Sequence, residues 1–529
     1  MKRALVMMSC VISLSAFARD VPVSTEAELR TAIGAALPGD VIILANGTYA
    51  IGSKLSCTRA GTAAMPIVVR GATPFGATLE SDTLIAFGVS APYWHFEDFA
   101  MRGVCADDSN CEHAFQVTGL ATDTVLRHLR LVDFNAQLKV NATPAGDGGY
   151  DMPHRGLVEA CELYDTRGRL TSNPVTKLNI DTGDDFVVRD NLIRDFSKNG
   201  GNFTSYGSFM KSGGKRGVYE RNLVLCASAG ASMTDTRIGL SFGGGGTAPQ
   251  FCFPGFNASI PCSVEHEDGV MRNNIIANCS DVGIYLNRAR NTSVLQNTLV
   301  GTNGVDFRFD TTSGRAVGNL LTQIIRARDM GTFTDTQNVV AGISAFNAAY
   351  TNPIAGDLSL KGSVAAWVGQ VSPPPAGVTD DFCARTRTGT MWTVGALESS
   401  LGDCATSKPP DGGVPVGGGA GGGGGATGGG GGTATGGGTA TGGGSATGGG
   451  GGTATGGGTA TGGGTATGGG GATGGGAATG GGDATGGGSG SDAGVDPGNP
   501  VAGGCGCGSL EGLAVALALA LLRRRSQTR

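Results

Sequence analysis

Five short apolar segments each carry an asparagine at the same place, and this repeat restricts the fold more than any other feature. Aligning "VVRDNLIRD", "VYERNLVLC", "MRNNIIANC", "VLQNTLVGT" and "AVGNLLTQI" puts Asn191, Asn222, Asn274, Asn297 and Asn319 in one column. The steps are 31, 52, 23 and 22 residues, and the longest contains one coil plus the insertion "GGGGTAPQFCFPGFNASIPC". Short strands at such a period, with Asn at a turn, predict a right-handed parallel β-helix whose stacked amides hydrogen-bond between coils.

The rest of residues 19–404 fits one all-β domain of this kind. Long amphipathic helix patterns are nearly absent, and a β-sandwich would show shorter spacings and hairpin signals. One short helix is predicted at "STEAELRTAIGAA", with Ser24 as its N-cap and Leu29 and Ile33 on one face. We expect this helix to cover the first coil, which would otherwise expose strand edges and core side chains.

The N-terminus has the pattern of a secretory signal peptide. Lys2 and Arg3 precede an apolar run that is too short to span a membrane, and "SAFA" offers small residues for cleavage near Ala18. A lipoprotein signal ending at Cys10 is the alternative. Residues 1–18 therefore predict export of the mature chain.

The C-terminal fifth of the chain differs from the rest in composition. Residues 405–503 are mostly "ATGGG" and "TATGGG" repeats, which have no apolar face to bury and predict a disordered linker. Residues 504–529 combine a Cys-Gly-Cys at Cys505, a short apolar helix and three arginines. This order resembles the myxobacterial C-terminal sorting tail, which implies processing near Cys505 and display on the outer surface, or release from it. A plain tail anchor is the alternative.

Cysteine usage agrees with export. Residues 20–404 contain ten cysteines, an even number that favours disulfides in an exported chain. Two local pairs are expected, Cys105 with Cys111 and Cys252 with Cys262. Three further cysteines lie within apolar stretches and are interpreted as core residues: Cys161, Cys226 and Cys279.

The second strand of each coil is predicted to carry a groove. Its alternating residues face outward, and neighbouring coils lie ~4.8 Å apart. The outward positions are Lys139, Lys177 or Asn179, Lys211, Arg237, Tyr285 or Asn287, and Arg308. A line of basic residues in a chain with a formal net charge of −5 suits an extended anionic ligand such as a uronate polysaccharide. The alternative is that these outward charges serve only solubility.

Segments at both ends of the domain support a family resemblance. "PGDVIILANGTYA" and "AMPIVVRGA" resemble the opening coils of chondroitinase B and the alginate lyases of polysaccharide lyase family six. "DLSLKGSVAAWVGQ" and "TGTMWTVGALE" resemble the closing coils of right-handed β-helix proteins. The resemblance implies a pectate-lyase-like solenoid and cleavage of an acidic polysaccharide by β-elimination.

The resemblance also implies a catalytic pair, a Lys on one coil and an Arg on the next. Lys211 in "FMKSG" matches the Lys, which would abstract a proton, and Arg237 matches the Arg, which would neutralise the substrate carboxylate. The family's Arg is followed by His-Gly, whereas this chain reads "TRIGLSFGGGG". Arg216 is the substitute for Arg237 and a further substrate-binding candidate.

A group of carboxylates gives a second interpretation of the site. Asp181, Asp184 and Asp185 lie in "NIDTGDDFVV", whose "GDD" resembles the acidic pair of polygalacturonases and would imply hydrolysis. The same three carboxylates are candidate ligands for Ca²⁺. His154 and His266 are lone histidines and secondary acid/base candidates.

Some functions are not indicated at all. No nucleotide-binding loop, Ser-His-Asp order or zinc spacing occurs in the sequence, so neither a nucleic-acid partner nor another cofactor is expected. We expect a monomer that meets acidic polysaccharide through the groove and the cell envelope through its tail. A non-catalytic adhesin with the same architecture is the third hypothesis, since a tethered β-helix can hold polysaccharide without cutting it.

Overall fold

Short strands and tight turns wind residues 20–340 into stacked coils, which together build three long parallel sheets. The computed structural model describes residues 19–146, 148–244, 252, 262–404 and 406, and its sheets confirm the predicted parallel β-helix. The predicted signal peptide with Ala18, the Gly-rich repeats and the tail with Cys505 lie outside the described residues. No helix in the described part is both long and apolar enough to cross a bilayer.

The first and second sheets flank the turn that carries the asparagines. The first sheet consists of Asp20–Val23, Val41–Leu44, Ile67–Gly71, Trp94–Glu97, Val125–Arg127, Leu157–Glu159, Val187–Arg189, Val218–Glu220, Val270–Arg272, Thr292–Leu295, Gly314–Val317 and Thr334–Thr336. The second sheet consists of Gly47–Ile51, Ala77–Ser81, Ala100–Gly103, Arg130–Val132, Glu162–Tyr164, Leu192–Arg194, Leu223–Leu225, Ile275–Ala277, Thr298–Val300, Leu320–Leu321 and Val339–Val340. Successive residues on these strands alternate between core and solvent, as in Ile67–Gly71 and Ala77–Ser81.

The third sheet, called the groove sheet below, contains the longest strands. Its members are Leu55–Cys57, Ile85–Val89, His113–Thr118, Ala136–Asn141, Val175–Asp181, Thr204–Lys211, Thr236–Phe242, Ile284–Asn287, Val305–Arg308 and Ile325–Arg328. A short parallel sheet follows it at one corner and consists of Gly214–Lys215, His266–Glu267 and Ala289–Arg290. Two antiparallel pairs complete the strands: Thr143–Pro144 with Tyr150–Asp151, and Tyr350–Asn352 with Asp357–Leu360.

Helices occupy the two ends and a few turns. The α-helices are Glu26–Ala35 and Ile343–Ala349, and the 3₁₀ turns are Asp108–Asn110, Pro353–Ala355 and Ser399–Leu401. The first helix buries Leu29 and Ile33 in the main core, as predicted. Its N-cap is Thr25 rather than Ser24, because the Thr25 hydroxyl accepts the Glu28 N–H and the Glu28 carboxylate accepts the Thr25 N–H. The Ser24 N–H and hydroxyl donate to the same carboxylate.

The predicted asparagine ladder is present and buried. The Asn222 Nδ2 donates to Asn274 Oδ1 at 2.9 Å, and the Asn274 Nδ2 donates to Asn297 Oδ1 at 2.9 Å. Each amide also bonds the main chain, as Asn274 Nδ2 does to the Tyr219 carbonyl at 2.9 Å. The left-handed residue of each turn is the one before the ladder Asn, for example Asn273 with φ 55°. The ladder therefore satisfies buried backbone groups at a turn that cannot pair them itself.

Apolar and aromatic side chains fill the space between the sheets. Phe87 and Phe115 stack on neighbouring coils with centroids 5.1 Å apart, and both are fully buried. A ring removed from water in this way stabilises the fold by roughly 1.5–3 kcal/mol. A second core joins the last coils to residues 343–404 through Phe346 and Trp367.

Disulfides confirm part of the cysteine prediction and correct the rest. Cys105 bonds Cys111 and Cys252 bonds Cys262, as expected. Cys226 and Cys279, interpreted as plain core residues, instead bond each other, because successive coils of the second sheet bring the residues after Leu225 and Ala277 side by side. A fourth bond joins Cys383 to Cys404. Cys161 is a buried thiol, in agreement with the prediction.

Candidate active site

The outer face of the groove sheet carries two rows of side chains in register. The residues between them point inward and belong to the core, as Ile180, Met210 and Phe242 do. The first row is Gln116, Lys139, Asn179, Phe209, Ser241, Tyr285, Asp306 and Arg326. The second row runs through Thr118, Asn141, Asp181 and Lys211, and then through Asn287, Arg308 and Arg328. Most of the predicted groove residues therefore do share one face.

Two lysines meet at one buried carboxylate. Lys139 Nζ lies 3.0 Å from Asp181 Oδ2, and Lys211 Nζ lies 3.7 Å from the same oxygen. Lys139 also donates to Asn179 Oδ1 at 3.0 Å, and the Ser212 hydroxyl donates to the other oxygen of Asp181. The Lys211 side chain is only 5% exposed. The structure thus places Lys211 in a buried polar cluster on the groove sheet.

A second acid lies close to Lys211. Gly243 follows Phe242, which pairs with Met210, so this glycine lies next to Lys211 on the neighbouring coil. A Cβ at Gly243 would stand 2.9 Å from the Cβ of Glu265. Glu265 Oε2 accepts the Ser212 N–H at 2.9 Å. The Ser212 backbone, which directly follows Lys211, therefore connects Lys211 to the Glu265 carboxylate.

Burial and charge shift the pKa values of this cluster in opposite senses. Burial lowers the pKa of the Lys211 ammonium, against the attraction of Asp181, and the nearby Lys139 lowers it further. Burial raises the pKa of Glu265 to about 7. Burial works to raise the pKa of Asp181 too, but Lys211 and Lys139 outweigh it and hold that pKa below its usual range. A lysine and a carboxyl both closer to neutrality are the groups that proton transfer needs.

Aromatic and aliphatic side chains flank the cluster. Tyr206 packs against a buried group of Ile238, Val282 and Tyr285. The Phe209 ring lies 4.9 Å from Lys211 Nζ and 5.4 Å from the Tyr206 ring. The low-dielectric surroundings of these rings strengthen the electrostatic effects on Lys211.

Further along the groove sheet, arginines surround a tyrosine. The Tyr285 hydroxyl accepts from Arg308 Nη1 at 3.1 Å and from Asn287 Nδ2 at 3.2 Å. Arg308 is 30% exposed and also pairs with Asp329 at 2.5 Å. Arg326 and Arg328 share the Asp306 carboxylate on the next coil. The predicted residues Tyr285, Asn287 and Arg308 are thus brought together, about 10–14 Å from Lys211 at two to three coil spacings.

The structure does not bring Arg237 to Lys211, so the predicted pair was wrong. Arg237 pairs with Ser205, six residues before Lys211, which separates the two by roughly 20 Å along the sheet. Its Nε donates to Asp235 at 2.9 Å and its Nη1 to the Cys226 carbonyl at 3.1 Å. Arg237 instead lines a polar cavity of about 630 Å³ with Tyr164. Strand length explains the error, because one long strand carries outward residues at both ends.

Lys177 is not a groove residue, and Asn179 takes the outward place. Lys177 is fully buried, and its Nζ contacts Asp165 Oδ2 at 2.5 Å and the Phe134 carbonyl at 2.7 Å. The neighbouring Gly207 also faces the core, since a Cβ there would meet the Phe196 ring at 3.3 Å. Lys177 and the residue that follows it both point inward on this coil, so the strict alternation of inward and outward side chains fails here.

The remaining acidic candidates do not gather into a metal site. Arg216 pairs with Asp185 at 2.6 Å and with Asp184 at 3.2 Å on an exposed turn, whereas Asp181 is buried among the lysines. Within the described ranges, no group of three or more His, Cys, Asp or Glu side chains is placed to hold a metal ion. Ca²⁺ binding through Asp181, Asp184 and Asp185 therefore finds no common centre in this geometry.

The two lone histidines have structural partners. His154 Nδ1 accepts the Asp184 N–H at 3.0 Å. His266 stacks on Phe242 with centroids 4.0 Å apart, and its Nε2 accepts the Gly217 N–H at 3.3 Å. Burial lowers the pKa of His266 to about 3, so this ring is neutral at ordinary pH.

Basic residues on the first sheet are paired in a ladder of their own. Arg127 bridges Glu97 and Glu159, each at 2.9 Å, and Arg189 bridges Glu159 and Glu220 at 2.7 and 3.9 Å. The lysine cluster differs in burial, because the Lys211 side chain is 5% exposed whereas those of Arg127 and Arg189 are 42% and 36% exposed. Glu265 was not predicted from the sequence. A one-coil spacing from Asp181 and Lys211 could have suggested it, but the insertion before Glu265 interrupts the repeat.

Comparisons with known proteins give distant matches to β-helix enzymes. No family model matches the chain, and no curated protein matches it. A crystal structure of pectate lyase Pel9A is 13% identical with a TM-score of 0.44, covering 70% of this chain and 90% of its own. A rhamnogalacturonan lyase is 12% identical with a TM-score of 0.45, covering 72% and 97%. The family six polysaccharide lyase Pedsa3628 from Pseudopedobacter saltans is 14% identical with a TM-score of 0.35, covering 65% and 96%.

The fold class of the protein follows from its own sheets. Three parallel sheets in register, with an asparagine ladder at one turn, define a parallel β-helix without reference to any relative. Fold alone does not assign a reaction, which depends on the side chains of the site.

Proposed function

We propose that the chain is an exported polysaccharide lyase that cleaves an acidic, uronate-containing polysaccharide by β-elimination, with Lys211 as the base. The observation that carries the proposal is the buried Lys211 beside Lys139 and Asp181 on the outer face of the groove sheet. An ordinary lysine is protonated at neutral pH and cannot accept a proton. Burial and a like charge lower the pKa of Lys211, so this lysine gives up its proton more easily than an exposed one.

β-Elimination from a uronate requires two contributions from the protein. The uronate carboxylate must be partly neutralised so that the neighbouring C5–H becomes acidic, and a base must then take that proton while the C4–O bond breaks. Lys139 is the group that can meet the carboxylate, because it sits at the same Asp181 oxygen as Lys211 and is 15% exposed. It replaces Arg237, whose partners hold it at the far end of the strand.

The arginines farther along the groove sheet would hold the rest of the chain. Arg308 and Asn287 converge on Tyr285, two to three coils from Lys211, which is about the length of two to three sugar residues. Ion-paired arginines at partly exposed positions can exchange a protein carboxylate for a substrate carboxylate at little cost. The pairing of Arg308 with Asp329 is of this kind.

Attachment to the envelope is part of the proposal and rests on sequence alone. The signal peptide and the Cys-Gly-Cys tail would place the β-helix outside the cell, where polysaccharides are met. A Ca²⁺ requirement remains a separate proposal for the substrate complex, in which uronate oxygens would supply ligands that the protein does not gather by itself.

One specific observation favours binding without cleavage as the second candidate. Asp181 pairs with both lysines and favours the charged form of Lys211, and its single negative charge leaves the two ammonium groups with a net positive charge that can hold an anionic ligand. A surface adhesin needs only such a groove and its aromatic flank.

The test is an assay of the purified domain on alginate, pectate, chondroitin and heparin, each with and without Ca²⁺. A rise in ultraviolet absorbance from an unsaturated uronate supports the lyase. New reducing ends without that absorbance indicate a hydrolase, and binding with neither product indicates the adhesin.

A further inference from the structure

We propose that Glu265 is the proton donor to the leaving group in the elimination started by Lys211. The inference rests on the proposed lyase function and deepens it, because it assigns the second proton transfer of the reaction to a named side chain. Glu265 lies just after the "GGGGTAPQFCFPGFNASIPC" insertion and directly before His266, and the sequence patterns gave it no role of its own.

Backbone contacts fix Glu265 beside the base. Its N–H donates to the Arg288 carbonyl at 2.8 Å, and its carbonyl accepts the Gly213 N–H at 2.9 Å. Its carboxyl oxygen Oε2 accepts the N–H of Ser212, the residue that follows Lys211. The acid is therefore held by the same turn that holds the base.

The glycine opposite Lys211 makes room for this arrangement. A Cβ at Gly243 would stand 2.9 Å from the Glu265 Cβ and 1.8 Å from the Asn287 carbonyl oxygen, and Gly243 has φ 77°. No side chain can therefore stand between Lys211 and Asn287 at this level of the second row. The Asn287 carbonyl and the Glu265 Cβ occupy the place that a side chain at Gly243 would take, so Glu265 packs directly against this glycine on the coil next to Lys211.

Burial favours the protonated form of Glu265 near neutral pH. It is the largest effect and raises the pKa of Glu265, and Asp181 adds to it, whereas the Ser212 N–H, Lys211 and Arg288 oppose it. Arg288 itself lies 4.0 Å from Asp310, which weakens its influence on Glu265. A neutral carboxyl and a lysine that loses its proton readily make an acid and a base within one site.

The proposed step balances. The Lys211 amine takes the C5 proton, and the electron pair of that C–H bond forms the C4–C5 double bond. The C4–O bond breaks, and its electron pair stays on the leaving sugar oxygen. The Glu265 carboxyl gives its proton to that oxygen, so the products are an unsaturated uronate, a free hydroxyl, an ammonium and a carboxylate. Solvent restores both groups before the next turnover.

The Glu265→Gln variant separates proton donation from a structural role. A Gln side chain keeps an oxygen that can accept the Ser212 N–H but has no acidic proton. Glu267→Gln is the matched control, because Glu267 lies two residues away and its ion pairs among the described residues, with Lys215 at 3.4 Å and Arg290 at 2.6 Å, lie outside the cluster. Glu265→Asp is the second variant, since it keeps a carboxylic acid on a shorter side chain. Thermal melting of each variant shows whether it folds.

The experiment uses two substrates that differ only in the leaving group. One is the polyuronate that the wild type cleaves, and the other is a uronate with 4-nitrophenoxide at C4, which departs without being protonated. We expect Glu265→Gln to lose about 10²–10⁴-fold in kcat on the polymer and to stay within about threefold of wild type on the nitrophenyl substrate. Glu265→Asp should recover part of the polymer activity, and Glu267→Gln should match wild type on both.

Other outcomes overturn the inference or the function beneath it, and they are distinguishable. If Glu265→Gln loses activity equally on both substrates, or on neither, then Glu265 gives no proton to the leaving group. In that case a Lys211→Ala variant that is inactive on both substrates still supports the lyase proposal. Failure of Glu265→Asp to recover any activity while folded also counts against the inference. If wild type eliminates neither substrate, the lyase function itself is wrong.

Discussion

Asp181 is the residue whose removal should most change the electrostatics of the site. It is the shared partner of Lys139 and Lys211 and is 7% exposed. Asp181→Asn keeps the shape but leaves two ammonium groups facing a neutral amide. Removing one partner of a buried ion pair typically costs about 3–5 kcal/mol, so we expect a loss of that size in the free energy of unfolding near pH 6–7.

The loss should depend on pH in a definite direction. Lys211 already has a lowered pKa in the folded state, so the unfolded state binds more protons and stability rises with pH up to the unfolded lysine value of ~10.4. Without Asp181 that pKa falls further, so the penalty in Asp181→Asn is largest where lysine is charged and shrinks towards pH 10. The wild-type contribution of Asp181, whose pKa is lowered, is lost only as pH falls below its unfolded value of ~3.9.

Urea unfolding at pH 6, 8 and 9.5 measures this dependence. Asp184→Asn is the control, because Asp184 pairs with the half-exposed Arg216 and should cost less than about 1 kcal/mol at every pH. A loss in Asp181→Asn that is below about 1 kcal/mol, or that does not change between pH 6 and 9.5, would refute the claim that Asp181 and Lys211 are coupled in a buried site.

Three further predictions concern the ladder and the groove. Asn274→Ala should lower the free energy of unfolding by about 2–4 kcal/mol, measured by urea titration, because it strands buried groups of Asn222 and Tyr219; a loss under about 0.5 kcal/mol would contradict the ladder's role. Arg308→Ala should raise KM on a polyuronate several-fold with kcat little changed, and an unchanged KM would remove it from the binding surface. Arg237→Ala should lower the melting temperature while the folded variant keeps kcat within about threefold of wild type; a loss of a hundredfold or more would restore its predicted catalytic role.

Repetition explains why much of the fold could be predicted from the sequence. The Asn column fixed the length of a coil, and the same spacing put Lys139, Asn287 and Arg308 on one sheet face. These inferences depend on the alternation of neighbouring residues, which the strands obey over most of their length.

The errors occurred where that local rule fails. Lys177 turned inward because two successive positions face the core beside Gly207, and Arg237 lay at the wrong end of an unusually long strand. Cys226 and Cys279 are 53 residues apart, so their bond depends on a stacking that the insertion obscures. Glu265 shares no motif with Lys211, and only the coil geometry places it there.

The measurement that tests the central claim most directly compares wild type and Lys211→Ala on the uronate polymers. The account predicts that wild type releases unsaturated uronate, seen as rising ultraviolet absorbance, and that Lys211→Ala loses at least about 10²-fold in kcat while it stays folded at the assay temperature and still binds the polymer. Equal rates of unsaturated product from the two proteins would place the base elsewhere. No such product from wild type on any uronate polymer would contradict the lyase function and leave a polysaccharide-binding protein in its place.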